Sequence, residues 1–272
     1  MTDLTTSPAP PPPTLPPAAR FVDPDGGDYT LKFDLHSDVL PSGRTARVRP
    51  IKGPAERDLT ASLQAKGPAQ IDHMAQFFLK TIEQIDNVAP SLDVVLELDD
   101  ADVRALLLRI RCVSLGQSLV QIAWDCTPPI ISKEIACGYK RNGATFDLDD
   151  ADFVALVPSR VLRLGASGKQ ASWPPNTLAV QREYLSRRKK NVEGLDLDAL
   201  FVARKVSLDG KVATSAMLDD LGLGDRSALR GALATWGGPD VRVVVPCKGC
   251  GVEMKAPATS LPGFFFPETA RE

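Results

Sequence analysis

Two passages of this chain run the same course. "LLLRIRCVSLGQSLVQIAWDC" and "SALRGALATWGGPDVRVVVPC" each pass from a helix-like run to a glycine (Gly116, Gly237), then through a β-type run into a cysteine ten residues on (Cys126, Cys247). Upstream, "SGRTARVRPIKGPAERDL" and "SGKQASWPPNTLAVQREY" also run parallel: a Ser-Gly turn, a short strand, a proline and an amphipathic helix. Cys126 and Cys247 lie 121 residues apart and Gly43 and Gly168 lie 125 apart, so one spacing serves both echoes. A repeat at this period means one supersecondary unit used twice. It predicts an α+β protein of two tandem, diverged copies of a hairpin-plus-helices module, at 30–158 and 159–267, behind a tail at 1–29. Two unrelated helix-to-strand passages would produce part of the same likeness.

The tail contains "SPAPPPPTLPPAAR". Proline fixes φ and has no amide donor, so this stretch is expected to be an exposed, polyproline-like leader. Beyond it, apolar residues alternate through Leu31, Phe33 and Leu35, break at Pro41-Ser42-Gly43 and alternate again to Val48, which predicts a β-hairpin. Gly53-Pro54 opens an amphipathic helix, and Ile71, Met74, Phe78, Ile82 and Ile85 share one face of a second. His73 sits beside that stripe as an ordinary helical histidine. The words Leu-Asp-Asp-Ala-Asp occur at 98–102 and again at 148–152. Neither copy has the spread of oxygen ligands, turn glycine and distal glutamate of a calcium loop, so both read as helix starts, with Asp99 as a cap.

Five cysteines in 272 residues are too few and too uneven for a disulfide scaffold. Cys247-Lys-Gly-Cys250-Gly has the spacing of a turn that offers two thiolates to one zinc ion, and a structural site needs four ligands. The repeat aligns Cys126 with Cys247 but puts Pro129 where Cys250 stands. Cys137 lies eleven residues past Cys126. One reading is therefore a single structural zinc shared by Cys126, Cys137, Cys247 and Cys250. The other leaves Cys247 and Cys250 as thiols in a glycine-rich turn without metal. Cys112 falls on the apolar side of its helix and is expected in the core.

A net charge of −2 with 24% charged residues gives no global case for nucleic acid or an anionic membrane. With no apolar run near the roughly 20 residues of a bilayer span and no signal-like start, a cytoplasmic protein is expected. Phosphate-loop, nucleophile-elbow and paired-histidine patterns are missing from the sequence, which therefore predicts no enzyme. "LGASGK" at 164–169 lacks the spacing of a phosphate loop and precedes "QASWPP", which cannot continue as a helix. The basic run "SRRKKN" at 186–191 ends a predicted helix without interleaved aromatics, so it reads as a solvated helix end. In "LPGFFFPETARE", three adjacent phenylalanines cannot share one face. Burying each is worth about 1.5–3 kcal/mol, so Phe264, Phe265 and Phe266 are expected either to close the chain's own core or to anchor a partner.

Taken together, "VLPSGRTARVRPIKGPAERDL", the acidic-capped helix "DDADVRALLLRIRCVSLG", the strand ending in a cysteine and the terminal "PCKGCG" with "PGFFFP" resemble the baseplate hub assembly chaperone family of T-even-type contractile phages and related bacterial contractile injection systems. The likeness spans most of 30–267. It implies a non-catalytic assembly factor of the bacterial cytoplasm whose partners are baseplate hub or spike proteins. A permanent structural subunit of the same particle is the first alternative, and a zinc-dependent nucleic-acid binder the second. The resemblance also implies a Cys-Pro-x-Cys-type knuckle, matched at Cys247 and Cys250; "CTPP" at Cys126 departs from it.

Overall fold

The computed structural model describes residues 29–115, 119–124, 142–147, 153–157, 159–188, 197–235, 237–239, 242–251 and 253–257. The architecture is mixed helix and sheet, with small antiparallel sheets. In chain order the first half contains β1 (Tyr29–Phe33), β2 (Ala46–Val48), α1 (Gly53–Gln64), α2 (Pro68–Thr81), β3 (Ile82–Ile85), α3 (Leu92–Leu96), α4 (Asp100–Leu115), β4 (Leu119–Trp124), β5 (Asn142–Asp147) and β6 (Phe153–Val157). The second half follows with β7 (Val161–Arg163), β8 (Gln170–Ser172), α5 (Leu178–Arg187), α6 (Leu197–Ala203), β9 (Ser207–Leu208), β10 (Lys211–Val212), α7 (Ser215–Asp219), α8 (Leu223–Ala234), β11 (Gly238–Pro239), β12 (Arg242–Pro246) and β13 (Glu253–Pro257).

The expected hairpin between 31 and 48 does not form as drawn. β1 pairs with β6, Tyr29 opposite Val157 and Phe33 opposite Phe153, while β2 pairs with β3. What remains is the turn: the Leu40 N–H donates to the Arg44 carbonyl (2.7 Å), the Gly43 N–H to the Leu40 carbonyl (2.8 Å), and Val39 bridges Thr45. Gly43 takes φ 85°, a conformation glycine adopts without a Cβ clash. The strand that leaves the turn, β2, takes β3 as its antiparallel neighbour, with Ala46 opposite Ile85.

The second predicted helix stops early for a related reason. Thr81 and Ile82 are β-branched, and Thr81 Oγ1 bonds back to the Phe77 carbonyl at 2.9 Å. Ile82 and Ile85 are buried from a strand instead of a helix face, and the left-handed pair Asp86 and Asn87 turns the chain after them. The second Leu-Asp-Asp-Ala-Asp also leads elsewhere than expected. Residues 148–152 lie outside the described set, but Phe153–Val157 is a strand, in keeping with its run of β-branched and aromatic residues and Pro158 after it.

Among the described residues two apolar clusters form. The larger gathers Leu59, Phe77, Phe78, Ile82, Val95, Leu106 and Ile110 from the first half, with Cys112 partly buried against it as expected. The smaller gathers Leu164, Trp173, Phe201, Leu208, Leu218, Leu229 and Leu233 from the second. Leu178, at the start of α5, crosses over and is buried in the first cluster. β11 also reaches across, pairing with β6. Gly238 makes that approach possible at φ 109°: a Cβ there would stand 2.9 Å from the Ala101 Cα.

Candidate functional site

The residues that hold each half together recur in order. In the first half, the turn Pro41-Ser42-Gly43 lies over the start of α4, and the Ser42 N–H donates to Asp102 Oδ1 at 3.0 Å. In the second, the turn at 165–168 lies over the start of α8, where the Ala166 and Ser167 N–H groups donate to Asp225 Oδ1 and Oδ2, each at 2.9 Å. "LGASGK" is thus a nest of amides already filled by the protein's own carboxylate. A second aspartate in each half holds the start of the strand that follows the turn: Thr45 N–H donates to Asp86 and Gln170 N–H to Asp209, both at 2.9 Å. The helices before the clasp match as well. Ser91 caps the five-residue α3 by accepting from Val94 N–H, and Thr214, 123 residues on, caps the five-residue α7 by accepting from Met217 N–H, both at 3.3 Å. At that same 123-residue spacing Phe78, Ile85, Val95, Leu98, Leu106 and Ile110 correspond to Phe201, Leu208, Leu218, Leu221, Leu229 and Leu233, and all twelve are buried.

Sheet order follows the same plan. The second half has a four-stranded sheet in the order β10-β9-β8-β7. The first half has β3-β2 in the place of β9-β8, with the Ile85–Val88 and Val39–Thr45 bridges standing where β10 and β7 stand. In each half a two-stranded antiparallel pair follows the long helix, β4 with β5 and β12 with β13; the first half then adds β6, which pairs with β1 and β11.

Electrostatically the two clasps differ. Burial and the neighbouring Asp99 push the Asp102 carboxyl up to about 7. The Asp225 carboxyl is held below the usual range by the Ala166 amide and the Ser167 hydroxyl, which outweigh the opposing effect of its burial. Arg109, in α4, adds a brace without a counterpart among the described residues of the second half: its Nε donates to the Leu35 carbonyl (3.2 Å) and its Nη2 to those of Asp34 (3.2 Å) and Val39 (2.6 Å). At the corresponding place in α8 stands Ala232.

The first Leu-Asp-Asp-Ala-Asp joins the halves. Asp99 caps α4, accepting from the Asp102 N–H at 2.9 Å, as its position predicts, and it also pairs with Arg160 at 3.6 Å. Asp100 accepts from the Gly237 N–H at 2.9 Å. Its carboxyl is raised chiefly by burial, and burial also lowers the facing Arg204 guanidinium to about 10. Along the backbone, the Leu178 N–H donates to the Leu98 carbonyl and the Asp100 N–H to the Asn176 carbonyl, both at 3.0 Å, so that Asp99 and Thr177 form an antiparallel bridge. Position in sequence marks these aspartates as helix-start residues; what it cannot mark is that all three are buried, Asp99 against Thr177 and Arg160, Asp100 against Gly237 and Asp102 against Ser42.

Of the predicted site residues, Cys247 and Cys250 lie in the turn between β12 and β13, Cys247 buried and Cys250 exposed, without a disulfide. The Gly249 N–H approaches Cys247 Sγ at 3.4 Å and the Gly251 N–H donates to the Cys247 carbonyl at 2.9 Å, Gly251 taking φ 74°. Cys126, Cys137, Phe264, Phe265 and Phe266 lie outside the described residues, as does the tail. Among the described residues no group of three or more His, Cys, Asp or Glu side chains is disposed to hold a metal. The basic run begins at the end of α5, where Arg187 pairs with Glu183 at 2.8 Å. Among the described residues no helix is long and apolar enough to cross a membrane. Comparison with family models, with curated proteins and with solved structures gives no match.

Proposed function

We propose that this chain is a non-catalytic assembly chaperone for the baseplate hub of a phage tail or contractile injection system, built from two tandem copies of one α+β module. The observation that carries the reading is the contact between Ser42 and Asp102. "LPSGR" and "DDADVRALL" are separate pieces of the family resemblance, 60 residues apart, and they meet in a single hydrogen bond that fixes a turn on a helix. The same contact at Ala166, Ser167 and Asp225 supports the duplication, since an unrelated second half would have no reason to reuse a buried aspartate at that step. A fold whose ionisable residues are spent on holding turns and joining halves suits a protein that works through surfaces.

On this reading Cys247 and Cys250 supply half of a structural zinc site, with Cys126 and Cys137 as the other half. An amide aimed at Cys247 Sγ is the kind of outer support that a metal-bound thiolate uses. Phe264, Phe265 and Phe266 are the partner anchors. The test of function is genetic and compositional together. Particles should fail to assemble baseplates without this protein, yet purified particles should contain it in substoichiometric amount or not at all. Stoichiometric presence would make it a structural subunit, and normal assembly in its absence would overturn the proposal. For zinc, elemental analysis of protein purified without chelator should find about one ion per chain, given four ligands per tetrahedral site; far less would remove the metal from the account.

A further inference from the structure

In the first half, the entry to α4 is covered. Asp99, Asp100, Ala101 and Asp102 are all buried: the extended segment Asn176–Leu178 lies along Leu98–Asp100, Gly237 and Gly238 close over Asp100 and Ala101, the Ser42 turn lies over Asp102, and α5 continues over α2 and α3. The entry to α8 has the same backbone: Leu221 N–H bonds to the Leu218 carbonyl and Arg226 N–H to the Gly222 carbonyl, as Leu98 and Val103 do to Val95 and Asp99. Yet Gly222, Leu223 and Gly224 are exposed, Leu223 at 82%, and a Cβ on either glycine would meet nothing within 4 Å. Val202 of α6 is likewise 48% exposed, whereas its counterpart Leu79 in α2 packs against the larger cluster. The second half thus presents, open, the face that the first half uses to receive its neighbour.

We infer that this open face, the entry to α8 with Leu223 at its centre, receives the Ile51–Gly53 segment of a second copy of this chain, so that molecules join head to tail. The occupant follows from the template inside the molecule. Asn176–Leu178 docks on the first half, and its counterpart, reached by the same turn, strand and proline, is Ile51–Gly53 at the entry to α1. Lys52 has the extended backbone of Thr177 (φ −118° against −80°, ψ 161° against 166°), and Lys52, Gly53 and Pro54 are exposed. Transferred directly, the Gly53 N–H donates to the Leu221 carbonyl and the Leu223 N–H to the Ile51 carbonyl, with Lys52 opposite Gly222.

Charge changes together on the two sides. The Asp99–Arg160 pair of the inner junction becomes Gly222 and His36, and Asp100 becomes Leu223, so the outer junction has an apolar side chain at its centre and Lys52 in place of the inner ion pair. Such a contact is heterologous and grows into chains or rings instead of stopping at a two-fold dimer. Stacked repeats with an unprotected terminal face behave in this way.

The inference rests on the duplication proposed above and is independent of the client. Sedimentation and light scattering of the full chain should show mass rising with concentration, with little dependence on salt. Leu223→Asp should weaken the association about tenfold or more while leaving the circular dichroism unchanged, as expected for placing a charge on an apolar contact. Mixing Lys52→Cys protein with Gly222→Cys protein under mild oxidation should yield a 52–222 disulfide between chains, identified by peptide mass spectrometry against the native cysteines. The pair Asp99→Cys and Thr177→Cys in one chain should close within the molecule. If the internal pair closes and the 52–222 bond does not form, or the protein stays monomeric, head-to-tail docking is wrong and the duplication stands. If the internal pair fails to close, the template itself is wrong and both fall. Capture of a different protein at Leu223 without self-association would equally overturn the second copy as occupant.

Discussion

The first and second halves solve one problem, how to pin a Ser-Gly turn onto a helix, with carboxylates in opposite electrostatic states. Asp102 lies under the turn and beside Asp99, in a place that belongs both to its own half and to the junction, so it is deprived of water and faces a like charge. Asp225 lies beneath only the turn it holds and receives two backbone amides for its two oxygens. The difference teaches that one clasp geometry accepts either charge state, according to what else faces the carboxylate: Asp99 beside Asp102, a second amide and a hydroxyl on Asp225.

The largest expected effect tests whether the two cores are equivalent. Phe78 and Phe201 occupy matching places in the two clusters, and Phe78 also packs on Phe77 with ring centroids 5.4 Å apart. Truncating either to alanine should cost about 3–5 kcal/mol in denaturant unfolding. If Phe201→Ala is nearly silent, the second cluster is not a core of the same kind.

Next come the clasps and their pH dependence. Asp102 keeps its proton up to about 7 in the folded state but releases it near 4 when unfolded, so the folded state binds more protons between those limits. Its contribution makes stability fall as pH rises from about 4 to about 7 and level off above. Asp225 is shifted the other way, so its contribution is present at neutral pH and is lost as the pH falls below the ordinary carboxylate range. Asp102→Asn keeps an acceptor for the Ser42 amide and removes a buried charge; at pH 8 it should leave stability unchanged or raise it by about 1 kcal/mol, and it should flatten the slope between pH 4 and 7. Asp225→Asn turns an amide donor toward one of two N–H groups, so its melting temperature at pH 7 should drop. Melting curves of both variants from pH 3 to 8 check the signs.

Smaller effects probe the junction and the caps. Gly238→Ala pushes a methyl group into the backbone of α4 at Ala101 and should destabilise by about 1–3 kcal/mol, seen as lost cooperativity between the halves. Ser91→Ala and Thr214→Ala each remove one cap and should cost about 1 kcal/mol apiece. Unequal losses would mean that α3 and α7 play different parts in their halves.

How much of this was legible in the sequence depends on the range of the interaction. Local chemistry was readable: the Ser-Gly turns, Gly53-Pro54 at the head of α1, Asp99 as a cap and the helix-to-strand passages on which the proposed repeat rests. Partner choice was not. Alternation at 31–48 is what a hairpin looks like, but nothing local to Phe33 says that its strand pairs with Phe153. Ile82 and Ile85 fit a helix face and a buried strand equally well, and Thr81 with the left-handed Asp86-Asn87 pair decided for the strand. The second Leu-Asp-Asp-Ala-Asp misled, since it reads as a helix start like the first, yet the strand Phe153–Val157 follows it, and the working counterpart of Asp102 is the single Asp225 in "GLGDR". A signal was available there: an aspartate four residues after a buried leucine, at the head of a helix, occurs in both halves 123 residues apart.

The most direct test of the central account, one module used twice, is an experimental structure of the full chain, superposing 86–110 on 209–233. The account predicts that Ser91 overlays Thr214, that Asp102 overlays Asp225, and that each aspartate lies within hydrogen-bond distance of the amides of its own Ser-Gly turn. Different strand order in the two halves, or an aspartate turned away from its turn in either, would contradict it.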